Sequence, residues 1–423
     1  MSTHRRWLST PPSAHTVRVR LIEEIGLMSL PSALFLDPVV EGHEVMNGAD
    51  TAFLIENERL GKKLVFDLGT RKDWWNLPRK VRDPLAFCVG VKVEKDVPEV
   101  LKGSGILLNE IDDIIWSHSH LDHRGDVSLF PPNTTLNYGK AVAYLKPEIT
   151  GEAEAVFLES DFAGRHNNEI DFSKSTFQIG GFTALDFYGD GSLYLLDTPG
   201  HDHGHLSALA RTTSISAGHG NDTFILLAGD ACHFCGVLRP NVSHPFPSPH
   251  LPSFTVGVSD VDYSGGLLRR HPKFQQLSDA TTKIAAEAQV TPWYGVAKGQ
   301  FSTFLDPVLG QKTADGVKEA FDEADNVFVA MCHDLSLLIK DHGKPIVPTL
   351  NKAPQEDLND WYEKGWKDKL YWTWVSQLGK IDEGGNIQMQ SPAVVGFWMR
   401  GKKYDTAQEL FEAGRKEEGG KKL

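Results

Sequence analysis

Residues 113–123 read Asp113-Ile114-Ile115-Trp116-Ser117-His118-Ser119-His120-Leu121-Asp122-His123. The first four form a short apolar run that opens on a carboxylate, the pattern of a buried strand with a polar start. Three imidazoles and one carboxylate then fall between His118 and His123. Imidazole nitrogens and carboxylate oxygens are the donors that a zinc-type ion takes, whereas a surface loop gains nothing structural from the mixture. The stretch therefore predicts a strand that releases metal ligands from its end into a loop. A run of merely solvated histidines is the bland alternative, and similar strand ends downstream weigh against it.

Three such ends follow. Leu193-Tyr194-Leu195-Leu196 reads as a strand that runs into Asp197-Thr198-Pro199-Gly200-His201-Asp202-His203-Gly204-His205. Phe224 to Leu227 leads into Ala228-Gly229-Asp230, and Asn326 to Met331 into Cys332-His333-Asp334. The candidate ligands are then His118, His120, Asp122, His123, His201, Asp230 and His333. They exceed what one tetrahedral ion needs and suit two ions that share a carboxylate. From Thr16, Val17, Val19 and Leu21 alternate with Arg18 and Arg20, the period of a half-buried strand, and residues 51–56, 63–67, Phe182 to Phe187, and Leu206 to Leu209 read as further strands. The strand over 63–67 ends in Asp67-Leu68-Gly69. Asp67 is either an outer partner that orients a ligand histidine or a plain turn carboxylate.

Composition narrows the function classes. The chain has 423 residues, 40% of them hydrophobic, enough for a large core and as many as two or three domains. Its 43 basic and 56 acidic residues give a net charge of −13, which argues against a nucleic-acid groove. Four cysteines are too few for a disulfide scaffold. No apolar run follows Met1-Ser2-Thr3-His4-Arg5-Arg6-Trp7, so no signal peptide is expected. No membrane span is visible, and a soluble, cytoplasmic protein is the default expectation. The terminal Lys421-Lys422-Leu423 only loosely resembles a peroxisomal address.

The remaining segments are read as follows. Residues 1–14 form a flexible arm, 15–340 a catalytic domain, and 341–423 a C-terminal helical extension packed on it. Residues 72–95, with Trp74 and Trp75, form an ordered loop. Helices are expected near 97–109, 273–289 and 312–323. The proline-rich stretch 236–262, with His244, His250 and Tyr263 nearby, belongs to a lid-like insertion over 236–290. Leu358, Trp361, Tyr362, Trp366 and Leu370 recur at helical spacing, a core stripe rather than a substrate box. Thr406 and Glu409 form a capping box. Cys232-His233-Phe234-Cys235 reads as two buried thiols rather than a redox or metal site, since no second pair exists.

The order His-x-His-x-Asp-His, then Thr-Pro-Gly-His, then Gly-Asp after a late strand, then a last-strand histidine, resembles the metallo-β-lactamase superfamily. The resemblance covers roughly residues 50–335. It implies an α/β fold, an αββα sandwich of two mixed sheets flanked by helices. It also implies two zinc ions: His118, His120 and His201 on the first, Asp122, His123 and His333 on the second, and Asp230 bridging. A metal-bridging hydroxide would then open a cyclic ester, as in the similar acyl-homoserine-lactone lactonases, with Asp122 orienting the nucleophile. His233 stands where those lactonases carry a tyrosine that binds the carbonyl, so it is a second catalytic candidate; an inert structural histidine is the other reading. His203 and His205 stay outside the ligand set. A γ-lactam or cyclic carbamate would suit the same centre. Further alternatives are a glyoxalase II-like thioester hydrolase and a mononuclear iron persulfide dioxygenase on His118, His201 and Asp230. A small-molecule substrate is expected, with no nucleic-acid or membrane partner.

Overall fold

Along Lys62–Phe66, Leu64 and Phe66 face one way and Val65 the other, and all three are buried. A strand buried on both faces must lie between two layers. The computed structural model, which describes residues 6–151, 154–246, 270–275, 286–341, 343–381 and 386–417, shows those layers. One sheet carries, side by side in chain order, Arg18–Ile22 (β1), Ala52–Asn57 (β2), Lys62–Phe66 (β3), Asp113–Ile115 (β4), Thr135–Gly139 (β5) and Asn167–Ile170 (β6). Strands β1 to β3 pair antiparallel, and β3 to β6 pair parallel.

The second sheet carries Phe177–Ile179 (β7), Phe182–Asp186 (β8), Leu193–Asp197 (β9), Leu206–Thr213 (β10), Thr223–Leu227 (β11) and Val327–Ala330 (β12). Neighbours pair antiparallel until β11 and β12, which are parallel. Leu64, Phe66 and Ile115 of one sheet share a buried cluster with Leu195, Ile225 and Ala330 of the other. On the outer faces, Val65 and Ile114 pack with Val97, Val100 and Leu101 of the helix Val97–Gly103. Leu196, Leu226 and Val329 pack with Ala314 and Val317 of the helix Pro307–Val317. The layers therefore run helix, sheet, sheet, helix, as expected. Each buried aliphatic side chain contributes about 1.5–3 kcal/mol.

Register places the candidate ligands. Leu227 of β11 stands opposite Ala330 of β12, so Asp230 and His333 each lie three residues beyond that pair. Phe66 of β3 stands opposite Ile115 of β4, so Asp67 and His118 leave the same edge of the other sheet. In α/β sheets that edge, at the carboxyl ends of parallel strands, is where functional side chains collect.

Several expectations need correction. The arm is not loose where it is described: the Leu8 amide donates to Asn326 Oδ1 at 2.8 Å, and Arg211 Nη2 donates to the Pro11 carbonyl at 2.7 Å. The 97–109 helix stops at Gly103, and Leu108–Glu110 is a separate 3-10 turn. The 72–95 stretch is a series of short turns that ends in the strand Gly90–Lys92. Its Trp74 and Trp75 are core residues beside Phe397, Leu410 and Phe411. The C-terminal extension is not purely helical. Gly396–Met399 pairs with Gly90–Lys92 in a third sheet that also holds Leu27–Pro31, Val45–Ala49 and Lys402–Tyr404. The aromatic stripe is broken at Gly365, in left-handed conformation, yet Leu358, Trp361, Trp366 and Leu370 are buried in the inter-sheet core. The Thr406–Glu409 capping box is present at the start of Ala407–Glu417. Most of the lid-like insertion, His250 and Tyr263 included, lies outside the described residues, as do the middle of the 273–289 helix and the last six residues. No described helix is long and apolar enough to cross a membrane.

Candidate metal centre

The loop after β4 turns into a single helical turn, Leu121–Arg124. Ser117 and His118 lie against the loop after β11. Gly229 there has φ +53, and a Cβ on it would sit 2.9 Å from Ser117 Cβ, so only glycine lets the two ligand loops meet. Asp67 fixes the first loop. Its carboxylate accepts hydrogen bonds from the Ser117 amide (2.7 Å) and hydroxyl (2.8 Å), and His123 Nδ1 lies 2.8 Å away. Asp67 is therefore a partner of a ligand candidate, not a plain turn residue. Asp202 ties two loops together: the Ser119 amide donates to its Oδ2 at 2.9 Å, and the Ser119 hydroxyl bonds the same oxygen.

The seven candidates come together in three overlapping groups. His118, His120, His201 and Asp230 form one; His123, Asp230, Cys332 and His333 a second; Asp50, Asp122 and His333 a third. Within each group the donor atoms lie within 4.8 Å of one another. His201 Nε2 is 3.2 Å from His118 Nε2 and 2.9 Å from His120 Nδ1, and Asp230 Oδ2 is 3.4 Å from His201 Nε2. A tetrahedral ion with ligands at about 2.0–2.1 Å separates its donors by about 3.3 Å. His123 Nε2 is 3.2 Å from Asp230 Oδ2, and His333 Nε2 is 3.4 Å from both Asp230 Oδ1 and Asp122 Oδ2. Yet His123 Nε2 and Asp230 Oδ1 are buried with no hydrogen-bond partner. Buried polar atoms at such distances without hydrogen bonds fit a donor set for cations.

The electrostatics agree. Burial, reinforced by neighbouring imidazoles, holds His118 and His201 well below the usual histidine range, in the neutral form that ligates. Burial also opposes charge on His123 and His333, but Asp230 and Cys332 outweigh it and raise both. Asp230 is itself held low: burial favours its neutral form, and His123, His333 and His233 overcome that. The field that draws protons onto these imidazoles is one that would hold a divalent cation.

The neighbouring residues divide into those at the centre and those beside it. His205 is buried outside the ligand groups; its Nε2 accepts from the Asp230 amide at 3.0 Å and its Nδ1 lies 2.8 Å from the Thr198 carbonyl. It positions the Asp230 loop, while His203 is exposed. His233 Nε2 lies 3.1 Å from Asp230 Oδ2, and its ring packs on Phe35 (4.5 Å) and Phe304 (5.3 Å). Cys232 and Cys235 are buried and belong to none of the described donor groups; Cys232 Sγ sits 3.0 Å from Met331 Sδ. Two members of the groups were not anticipated from the sequence. Cys332 precedes His333 directly, and Asp50 precedes β2 at the same sheet edge. Both stand at a strand boundary, but only the fold brings them to the donor groups.

The chain matches the metallo-β-lactamase superfamily model over residues 47–215. It is 34% identical to Gamma-lactamase FDB1 of Fusarium pseudograminearum over 385 residues, 88% of this chain and 85% of the other. It is 36% identical to Metallo-hydrolase mfmC of Annulohypoxylon moriforme over 378 residues, 88% of this chain and 90% of the other. A solved quorum-quenching N-acyl homoserine lactone hydrolase aligns with a TM-score of 0.46 at 16% identity, covering 76% of this chain and 94% of that one. Identity above 30% along most of both chains, over a described αββα sandwich with clustered imidazoles and carboxylates, makes this chain a member of the metallo-β-lactamase superfamily and a metal-dependent hydrolase.

Proposed function

We propose that the protein hydrolyses the acyl bond of a small cyclic substrate, a γ-lactam or the related γ-lactone, at a dinuclear zinc centre. The observation that carries the reading is the overlap of the donor groups, with Asp230 common to the first and second. A carboxylate so shared suits a bridge between two ions. His118, His120 and His201 would hold one ion, and Asp122, His123 and His333 the other. A pair of divalent ions, when bound, supplies a nucleophile at neutral pH and a Lewis acid for the carbonyl. A mononuclear iron dioxygenase on His118, His201 and Asp230 would leave His123 and His333 without a metal to hold, which supports the dinuclear reading. The 34% identity to a protein named gamma-lactamase favours the amide over the ester.

The chain's own residues then have defined tasks. His120 and Asp122, only partly buried, are the ligand candidates nearest solvent, so substrate approaches from their side. Asp122 orients the attacking oxygen. His233 Nε2 lies 3.1 Å from Asp230 Oδ2, and we assign it the proton delivered to the departing nitrogen or oxygen. Phe35 and Phe304 wall that proton donor off from bulk water. Replacing His233 with Ala lowers kcat by roughly 10²–10⁴-fold, the usual range for a general acid, with two zinc ions retained by elemental analysis. Unchanged turnover would sink the assignment.

The substrate class is tested by incubating zinc-loaded protein with γ-lactams, γ-lactones, cyclic carbamates and thioesters and following water addition by mass spectrometry. Opening of lactams supports the amide reading, and opening of lactones alone moves the assignment to the ester. No reaction with any of them overturns the proposal of a small cyclic acyl substrate.

A further inference from the structure

Cys332 follows the end of β12 and directly precedes His333. Its Sγ lies within 4.8 Å of donor atoms of His123, Asp230 and His333, and it is 3% exposed. Two other members of that group carry buried polar atoms without hydrogen-bond partners, His123 Nε2 and Asp230 Oδ1. The thiol therefore borders a space whose polar atoms are unsatisfied. Its own hydrogen bond is weak: Sγ donates to the Thr51 carbonyl at 3.3 Å. Cys88, Cys232 and Cys235 are also buried, yet none joins a described donor group.

His333 belongs to two different nests. One is Asp50, Asp122 and His333, oxygen donors with one imidazole; the other is His123, Asp230, Cys332 and His333, which adds sulfur. Both hold unpartnered buried atoms, Asp50 Oδ1 in the first and His123 Nε2 and Asp230 Oδ1 in the second, but only the second shares Asp230 with the His118, His120 and His201 group. We propose that Cys332 is a thiolate ligand at the second metal position, beside His123, Asp230 and His333. The proposal rests on the dinuclear reading. Binding breaks the S–H bond, forms a sulfur–metal bond and releases the proton to solvent. A thiolate there makes the second position selective for zinc or cobalt over magnesium, calcium or manganese, which prefer oxygen donors.

The test is cobalt substitution of the full-length protein, with cobalt per chain measured by elemental mass spectrometry and the near-ultraviolet spectrum recorded. Two cobalt ions per chain with an intense sulfur-to-cobalt charge-transfer band is the expected result. The band should vanish in Cys332→Ser and persist in Cys232→Ser. Cys332→Ser should also release its second cobalt to a chelator at least about tenfold faster, the smallest effect usual for residues near a metal. Two cobalt ions without the band would overturn the ligand role of Cys332 and leave the dinuclear reading standing. A band that persists in Cys332→Ser would do the same. Saturation below two cobalt ions would overturn the dinuclear reading itself and this inference with it. If Cys332→Ser misfolds, persistence of the band in Cys88→Ser, Cys232→Ser and Cys235→Ser assigns it to Cys332, and its loss in any one of them overturns the proposal.

Discussion

Asp67 and Asp202 act on the centre through other residues. Asp67 sets the ring of His123 through Nδ1 and holds the Ser117 turn with two further bonds. Removing its carboxylate frees the ring to rotate and leaves the Ser117 amide, buried, without its partner. Asp67→Ala therefore weakens zinc affinity by about 10–100-fold, the range for partners that orient ligand histidines. Competition with a chromogenic chelator measures it, and an unchanged affinity would show that the loop holds its shape without Asp67. Asp202 has the corresponding task at Ser119, between His118 and His120. Its carboxyl is held below the usual range although burial opposes this, because His120 and Ser119 stabilise the charge.

Gly200 precedes His201 and has φ +120, in the region that favours glycine. A Cβ on it would lie 2.2 Å from the amide nitrogen of Gly310, in the helix Pro307–Val317. That backbone cannot give way as a side-chain tip can. The helix is tied to the loop by the Leu305 amide, which donates to the His201 carbonyl at 2.9 Å, and by Thr313 Oγ1, which donates to the Pro199 carbonyl at 2.6 Å. Gly200→Ala thus costs at least about 1–3 kcal/mol of stability, the usual range for overpacking, and displaces His201. Urea unfolding with parallel zinc titration reads both effects. The far end of the same helix runs into a π-helical turn at Lys318–Asp322. There the Lys367 ammonium donates to the carbonyls of Asp322 (2.7 Å), Ala324 (2.7 Å) and Val327 (2.9 Å). Asp322 also accepts from Arg239 Nη2 at 2.8 Å and from the Tyr371 hydroxyl at 2.8 Å. One buried polar cluster thus joins the helix, the segment after His233 and the C-terminal residues.

Contacts of this long-range kind make the whole molecule sensitive to acid. His43 Nδ1 lies 2.9 Å from the Tyr294 hydroxyl, joining residues far apart in the chain. Burial, with Arg270 adding to it, pushes the His43 pKa down to about 3, and burial pushes His244 and His271 to about 4. In the unfolded chain these rings titrate near 6.5. As pH falls below about 6.5 the unfolded state takes up protons that the folded state refuses, so stability is full above that value and declines toward the folded values. At pH 5 His43 alone accounts for about 2 kcal/mol. The melting temperature should fall steadily between pH 6.5 and 4, and less steeply in His43→Gln. The difference between the two proteins isolates His43 from the metal centre, and parallel pH profiles would count against its role.

Much of this protein is legible in the chain because the signals are local. Short continuous apolar runs mark β3, β9 and β11, and the residues just beyond β4, β9, β11 and β12 carry imidazoles and carboxylates that no strand interior would tolerate. Those features mark the seven candidate ligands, and the sandwich follows from the resemblance to the metallo-β-lactamase superfamily that they carry. The stripe from Leu358 to Leu370 shows the limit of periodicity. Two short pieces on either side of Gly365 bury the same side chains that one helix would, so the pattern reports the buried face and not the continuity of the backbone. Asp50 and Cys332, the third sheet and the anchored arm depended on the folded chain. Thr51 and Cys332 are neighbours although 281 positions apart, and strand register and layer packing, which no local pattern encodes, bring them to one edge.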